Sequence, residues 1–201
     1  MKHNLWYAFF KVLGSVLCKI LFRIRFFGVQ NIPSSGGFIL ASNHTSYLDP
    51  VMLGVACPRE LNFLVMKELF DVQFLSWIIK RCNTFPINRK RPDVGALKEF
   101  FKRLRQGRGV VIFPEGTRSA DGTLMKPERG VGLIAIKAGV PVVPVYLEGT
   151  HNALPVGAKW IRLYPVSVWF GKPIMTGTLK GAGSFQGASE IIMEGIKSLK
   201  N

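Results

Sequence analysis

Phe38-Ile39-Leu40-Ala41-Ser42 runs without a break into Asn43-His44-Thr45-Ser46-Tyr47-Leu48-Asp49. The first five residues are short and apolar, as expected of a strand buried on both faces of a sheet. The next seven carry an imidazole and a carboxylate five positions apart, with turn chemistry between them. A second stretch repeats the arrangement: Gly109-Val110-Val111-Ile112-Phe113 reads as a buried strand that stops at Pro114, and Glu115-Gly116-Thr117-Arg118-Ser119 follows it. Reactive groups directly after buried strands fit an open α/β sheet, whose ligands bind beyond the carboxyl ends of the strands.

Working outward, strands and helices alternate along the chain. Leu61 to Met66 predicts a strand, Leu69 to Arg81 an amphipathic helix, and Thr84 to Asn88 another strand. Pro92 opens a helix to about Gln106, with Val94, Leu97, Phe101 and Leu104 near helical spacing. Arg129 to Ala138 predicts a helix, Val142 to Leu147 a strand, Ile161 to Phe170 a pair of strands broken at Pro165, and Gly187 to Leu199 a closing helix. The expected fold is α/β: a mostly parallel central sheet flanked by helices. The expected organisation is an N-terminal amphipathic membrane-interface helix over residues 1–24 and one α/β domain over residues 25–201.

The chain's 201 residues are enough for one domain with a sizeable core. Hydrophobic residues make up 48% and charged ones 19%, which excludes a disordered chain. Lys and Arg number 27 against 12 Asp and Glu, a formal charge of +15, so an anionic partner is expected. A membrane surface fits better than nucleic acid, because no helix-turn-helix, zinc or RNA-binding aromatic signature is present and the basic residues are scattered. Cys18, Cys57 and Cys82 show no CxxC spacing, and neither disulfides nor a metal site is expected.

Residues 5 to 24 stand apart. Lys11, Ser15, Lys19 and Arg23 form one narrow polar stripe on a helix that is otherwise apolar. Lys11 and Lys19 cut every uncharged run short of the ~18 residues that span a bilayer. A helix of this kind fits one lying in the membrane interface, its three cations on anionic headgroups. The plainer reading is a helix that covers the domain core.

On a continuous helix His44 and Asp49 would stand ~140° apart, so they meet only across a turn, which Thr45-Ser46 can supply ahead of a helix starting near Leu48. Asp49 would then fix the imidazole tautomer and leave the other ring nitrogen to take a proton from a hydroxyl. In isolation the pattern fits a helix-capping Asp beside an incidental His. In the second segment Gly116 lets backbone amides approach an anion, Thr117 offers a hydroxyl, and Arg118 can bind phosphate bidentately. Glu115 cannot hold a phosphate and would orient Arg118 or a substrate hydroxyl. An unremarkable polar loop fits these residues equally well.

Together the two segments resemble the glycerolipid acyltransferase family, with its HxxxxD motif. Phe85-Pro86-Ile87-Asn88-Arg89 is similar to the block of that family ending in a phosphate-binding Arg, with Asn88 where an acidic residue is common. Val140-Pro141-Val142-Val143-Pro144-Val145 is similar to its proline-marked fourth block. Lys67-Glu68-Leu69 and Lys126-Pro127 lie where members carry basic residues. The resemblance runs from about residue 25 to 175. It implies an enzyme moving an acyl group from acyl-CoA or acyl-carrier protein to the hydroxyl of 1-acyl-glycerol-3-phosphate, giving phosphatidic acid for phospholipid biosynthesis, with no cofactor. Catalytic roles fall on His44 and Asp49, and substrate binding on Arg89, Glu115, Gly116, Thr117, Arg118 and Lys67. A peripheral or monotopic position on the cytoplasmic membrane face follows. Another lysolipid acceptor, such as a lysophospholipid or amino-acid-linked lipid, is the alternative, and a catalytically silent membrane-binding module is a further one.

Overall fold

A computed structural model describes residues 5–71, 73–88 and 93–200. Seven strands form one sheet in the order β1-β7-β6-β2-β5-β3-β4. They are β1 (Arg25–Phe27), β2 (Phe38–Ser42), β3 (Leu61–Met66), β4 (Thr84–Ile87), β5 (Gly109–Ile112), β6 (Val142–Glu148) and β7 (Ser167–Phe170). Only the β6–β7 pairing is antiparallel; the other five are parallel. The mostly parallel α/β expectation therefore stands.

All five residues of β2 are buried, as its central place between β5 and β6 requires. Alternate side chains serve opposite faces. Phe38 and Leu40 join one apolar cluster with helix α1 (Leu5–Phe22) and α2 (Asp49–Ala56). Ile39 and Ala41 join another with α4 (Val94–Arg105), α5 (Arg129–Ala138) and α8 (Phe185–Lys197). The α5–α8 contact is close enough to need a glycine: a Cβ on Gly132 would stand 2.0 Å from the Phe185 carbonyl oxygen. The remaining α-helices among the described residues are α3 (Gln73–Arg81), α6 (Thr150–Ala153) and α7 (Thr176–Lys180).

The structure corrects several expectations. Residues 161–166 are not strand, and only β7 remains of the expected pair. The alternation of Ile161 and Leu163 resembles a strand, but both side chains are exposed. Helix α8 begins at Phe185, two residues early, because Ser184 accepts from the Gly187 amide as its N-cap. Asp93 caps α4 in the same way through the Ala96 amide; Pro92 lies outside the described residues. The three-residue edge strand β1, α6 and α7 were not expected.

Helix α1 departs from expectation at two of its cations: it ends at Phe22, which leaves Arg23 beyond the helix, and Lys11 faces the domain. Its narrower, partly polar face meets the domain: Tyr7, Cys18 and Phe22 are buried, the Tyr7 hydroxyl accepts from the Leu61 amide at 3.1 Å, and Lys11 Nζ donates to the Cys57 carbonyl. Lys11 thus sits at the carboxyl end of α2, where a cation complements the helix dipole, and not on headgroups. Burial lowers its pKa. The outward face carries Leu5, Trp6, Phe9, Val12, Leu13, Val16 and Ile20, all exposed. By length and composition this helix could cross a membrane.

Candidate active site

β2 and β5 are parallel neighbours, so Asn43-His44 and Phe113-Pro114-Glu115 leave the sheet at the same edge. Asn43 extends the ladder beyond β2 with its side chain: Nδ2 donates to the Leu147 carbonyl at 3.0 Å, and Oδ1 accepts from the Leu147 amide at 2.7 Å. The chain then turns sharply. Ser46 Oγ accepts from the Leu48 amide, and the Ser46 carbonyl accepts from the Asp49 amide. Asp49, with Pro50 behind it, opens α2 and points its carboxylate back into the turn.

That reversal brings His44 Nδ1 to 2.8 Å from Asp49 Oδ2. The same oxygen accepts the amides of Thr45 at 2.7 Å and Ser46 at 2.8 Å, and Asp49 is fully buried. Because a carboxylate only accepts, Nδ1 carries the proton and Nε2 keeps a lone pair. The imidazole lies flat on Phe113, ring centroids 3.8 Å apart and planes 14° from parallel, so its orientation is fixed from below as well. Its side chain remains 17% exposed, which leaves a route for a substrate proton. The arrangement is that of a general base with a buried orienting carboxylate.

The second segment folds over the first. Ser119 N–H donates to the His44 carbonyl at 2.8 Å. Gly116 adopts φ +70°, and a Cβ there would meet Glu128 Cγ at 2.9 Å, so the turn needs glycine. Arg118 reaches back to the first segment, its guanidinium carbon 3.6 Å from the centre of the Tyr47 ring. Tyr47, between His44 and Asp49 in the chain, therefore places a planar cation beside the His44–Asp49 turn. Thr117 is exposed at the same loop.

Glu115 has a different role from the expected one. One oxygen accepts the His44 amide at 3.0 Å and the other the Met125 amide at 3.1 Å. The buried carboxylate braces the two loops, while Tyr47 holds Arg118. Burial pushes its pKa up to about 7, against the lowering by those two amides and with a further raising contribution from Asp49. The folded chain then holds this proton more tightly than the unfolded chain, whose ordinary value is 4.5. Stability from this group is full below the unfolded value and declines as pH rises towards about 7. Thermal denaturation across that window should show the decline, and Glu115→Gln should flatten it. An unchanged slope in the variant would assign the decline to other groups.

Lys67 is exposed where β3 ends, on the same sheet edge one strand beyond β5. It borders a cleft with Phe85, Asn88 and Asp93. Arg89 follows β4 in the sequence but lies outside the described residues. Among the described residues, no group of three His, Cys, Asp or Glu side chains is placed to hold a metal ion. Sequence reasoning gave no role to Asn43, Tyr47, Phe113 or Thr150, whose hydroxyl meets that of Thr45 at 3.1 Å. An aromatic residue inside the His44–Asp49 turn was the one available signal for the Arg118 platform.

Known proteins place the chain further. The chloroplastic 1-acyl-sn-glycerol-3-phosphate acyltransferase of Arabidopsis thaliana is 33% identical over 168 residues, covering 82% of this chain but 47% of the relative. Its namesake in Bacillus subtilis is 27% identical over 182 residues, with 89% of this chain and 88% of the relative covered. This chain thus spans about half the length of some curated relatives and most of others. The crystal structure of the 1-acyl-sn-glycerophosphate (LPA) acyltransferase PlsC from Thermotoga maritima superposes with a TM-score of 0.82 at 26% identity, over 96% of this chain and 79% of that one. The acyltransferase family profile matches residues 23–148, from the end of α1 through β6, a span that holds both segments of the candidate site. On that match the chain belongs to the acyltransferase family.

Proposed function

We propose that the protein transfers an acyl group from a thioester, on coenzyme A or an acyl-carrier protein, to the free hydroxyl of 1-acyl-glycerol-3-phosphate, forming phosphatidic acid. One observation supports this reading above the others: a base oriented by Asp49 lies in the same turn as the aromatic platform of a phosphate-sized cation, Arg118. His44 Nε2 takes the proton of the acceptor hydroxyl as its oxygen attacks the thioester carbonyl. The C–S bond breaks as the tetrahedral intermediate collapses, and the proton passes from the imidazolium to the leaving thiolate. Asp49 stabilises the imidazolium throughout. Arg118, with Lys67 on the same edge, binds the acceptor phosphate, and Arg89 is assigned to the same phosphate by sequence alone. Base catalysis of this type contributes about 10²–10⁴-fold, and positioning of the two substrates supplies much of the remainder.

An acceptor panel tests the assignment. Lysophosphatidate should be acylated faster than lysophosphatidylcholine or monoacylglycerol, which lack an exposed phosphate monoester. Arg118→Lys should raise the KM for lysophosphatidate roughly tenfold with a smaller change in kcat, since an ammonium cannot copy the bidentate fork. Equal rates on all three acceptors, or a loss confined to kcat, would count against this reading.

The proposed acceptor and product are lipids, so the catalytic edge has to meet a membrane. The outward face of α1 supplies apolar contact, and its Lys19 stays exposed beside it. Replacing Phe9, Val16 and Ile20 by Ser in the full chain should weaken binding to anionic vesicles at least about tenfold, from lost burial of roughly 1.5–3 kcal/mol per side chain. Truncation is a poorer test, because α1 also covers α2. Binding equal to that of the parent chain would make the outward face irrelevant to membrane contact.

A further inference from the structure

The loop between α6 and β7 exposes a dense apolar surface. Within Val156-Gly157-Ala158-Lys159-Trp160-Ile161-Arg162-Leu163-Tyr164, Trp160 is 82% and Leu163 74% exposed, and Val156, Ile161 and Tyr164 are exposed as well. An exposed cluster of this size marks a contact surface. The loop is not loosely tethered. Ser46 Oγ donates to the Leu154 carbonyl at 2.7 Å, Ser46 bridges to Pro155, and the Arg162 amide donates back to the Ala153 carbonyl at 2.8 Å. Its root is therefore the catalytic turn itself. Its far end is fixed to α1 and β1: Val166 N–H donates to the Phe22 carbonyl, and Arg25 N–H donates to the Val166 carbonyl.

We propose that residues 156–164 are a second membrane-inserting element, which docks the catalytic edge on the interface of an anionic lipid bilayer. Trp and Tyr favour the headgroup level, Ile and Leu the acyl boundary, and Lys159 and Arg162 add the charge that matches anionic headgroups. At one end of the loop Val166 is bound to Phe22, which follows the exposed Ile20 and Leu21 in the chain; at the other Leu154 and Pro155 are bound to Ser46, which precedes the exposed Tyr47. Two contacts, one along α1 and one rooted on Ser46, fix the depth and tilt of His44 relative to the lipid. The inference rests on the proposed function only for the identity of the reacting lipid; membrane docking is read separately.

The test uses the full chain and sucrose-loaded vesicles of phosphatidylglycerol and phosphatidylcholine. Trp160→Asp with Leu163→Asp should weaken co-sedimentation at least about tenfold. Met175→Asp, an exposed residue at the opposite end of the sheet beside the Ile174–Val142 bridge, should not. The double variant should lose turnover on vesicle-borne lysophosphatidate while keeping it on a short-chain acceptor below its micelle concentration. Bilayers carrying bromine on the acyl chains should quench the parent chain more than Trp160→Phe, a variant with little reason to misfold. Unchanged vesicle binding, or equal quenching of the two chains, overturns the inference, and an acidic protein as the true occupant would give that result. Reduced vesicle binding upholds it even if no lysolipid is acylated, an outcome that would remove the proposed function alone.

Discussion

Replacing His44 by alanine is expected to lower acyl transfer by about 10²–10⁴-fold, the contribution of a positioned general base. The fold should survive, because the backbone at residue 44 makes its own contacts: its amide donates to Glu115 and its carbonyl accepts from Ser119. The variant removes a ring that is stacked on Phe113 and partly open to solvent, so the cavity left behind is small and accessible. Steady-state turnover with lysophosphatidate, alongside circular dichroism and thermal denaturation, measures both halves of the statement. The loss should appear in kcat, since His44 acts on a proton that moves only in the transition state.

Asp49→Asn is the second large effect, and the geometry refines its cause. Oδ2 takes three hydrogen bonds, two of them from the buried amides of Thr45 and Ser46, whereas Oδ1 is buried without a partner among the described residues. An asparagine should keep its carbonyl oxygen in the Oδ2 place, because the reverse would set its NH2 against two donating amides. The turn and the Nδ1–H tautomer are then preserved, and only the negative charge is lost. A charge-assisted hydrogen bond contributes about 1.5–3 kcal/mol, so turnover should fall roughly 10- to 10²-fold, less than in His44→Ala. The orphaned NH2 should also lower Tm modestly. Asp49→Ala should be worse for the fold, with buried amides unsatisfied at about 1–3 kcal/mol each. Nitrogen NMR of the imidazole separates the explanations: an unchanged tautomer in Asp49→Asn supports charge loss, and a switch to Nε2–H would show that the ring had been released.

Much of this was legible because local pattern and burial coincide at the centre of the sheet. β2, β5 and β6 are short apolar runs lying between neighbours, so composition alone marks them. β1 gave no such signal: Arg25-Phe26-Phe27 is exposed and exists by pairing with β7, more than a hundred residues away. Residues 161–163 erred in the other direction, carrying strand-like alternation with no strand beside them. For α1, periodicity placed Lys11, Ser15 and Lys19 on one helix, missed that the helix stops before Arg23, and could not say which face meets the domain. A half-buried lysine at the end of α2 and a tyrosine on the Leu61 amide decide that, and both are tertiary contacts.

The site divides along similar lines. The His44–Asp49 meeting could be anticipated, since five residues with Thr and Ser between them close a turn. The bracing by Glu115 could not, because its partners are backbone amides of His44 and Met125 that carry no sequence signature. Nor could the contact of Arg118 with Tyr47, seventy-one residues apart in the chain, although each belongs to a conspicuous segment.

The central claim is direct attack by a lipid hydroxyl that His44 deprotonates. A rapid-quench experiment tests it most directly, mixing full-length protein with labelled acyl thioester and lysophosphatidate and following both lipid product and protein mass. The account predicts labelled phosphatidic acid in a single phase, no acylated protein at any time, and almost no product from His44→Ala. Transfer at the parent rate by His44→Ala, or an acyl group carried on the protein before product forms, would contradict it.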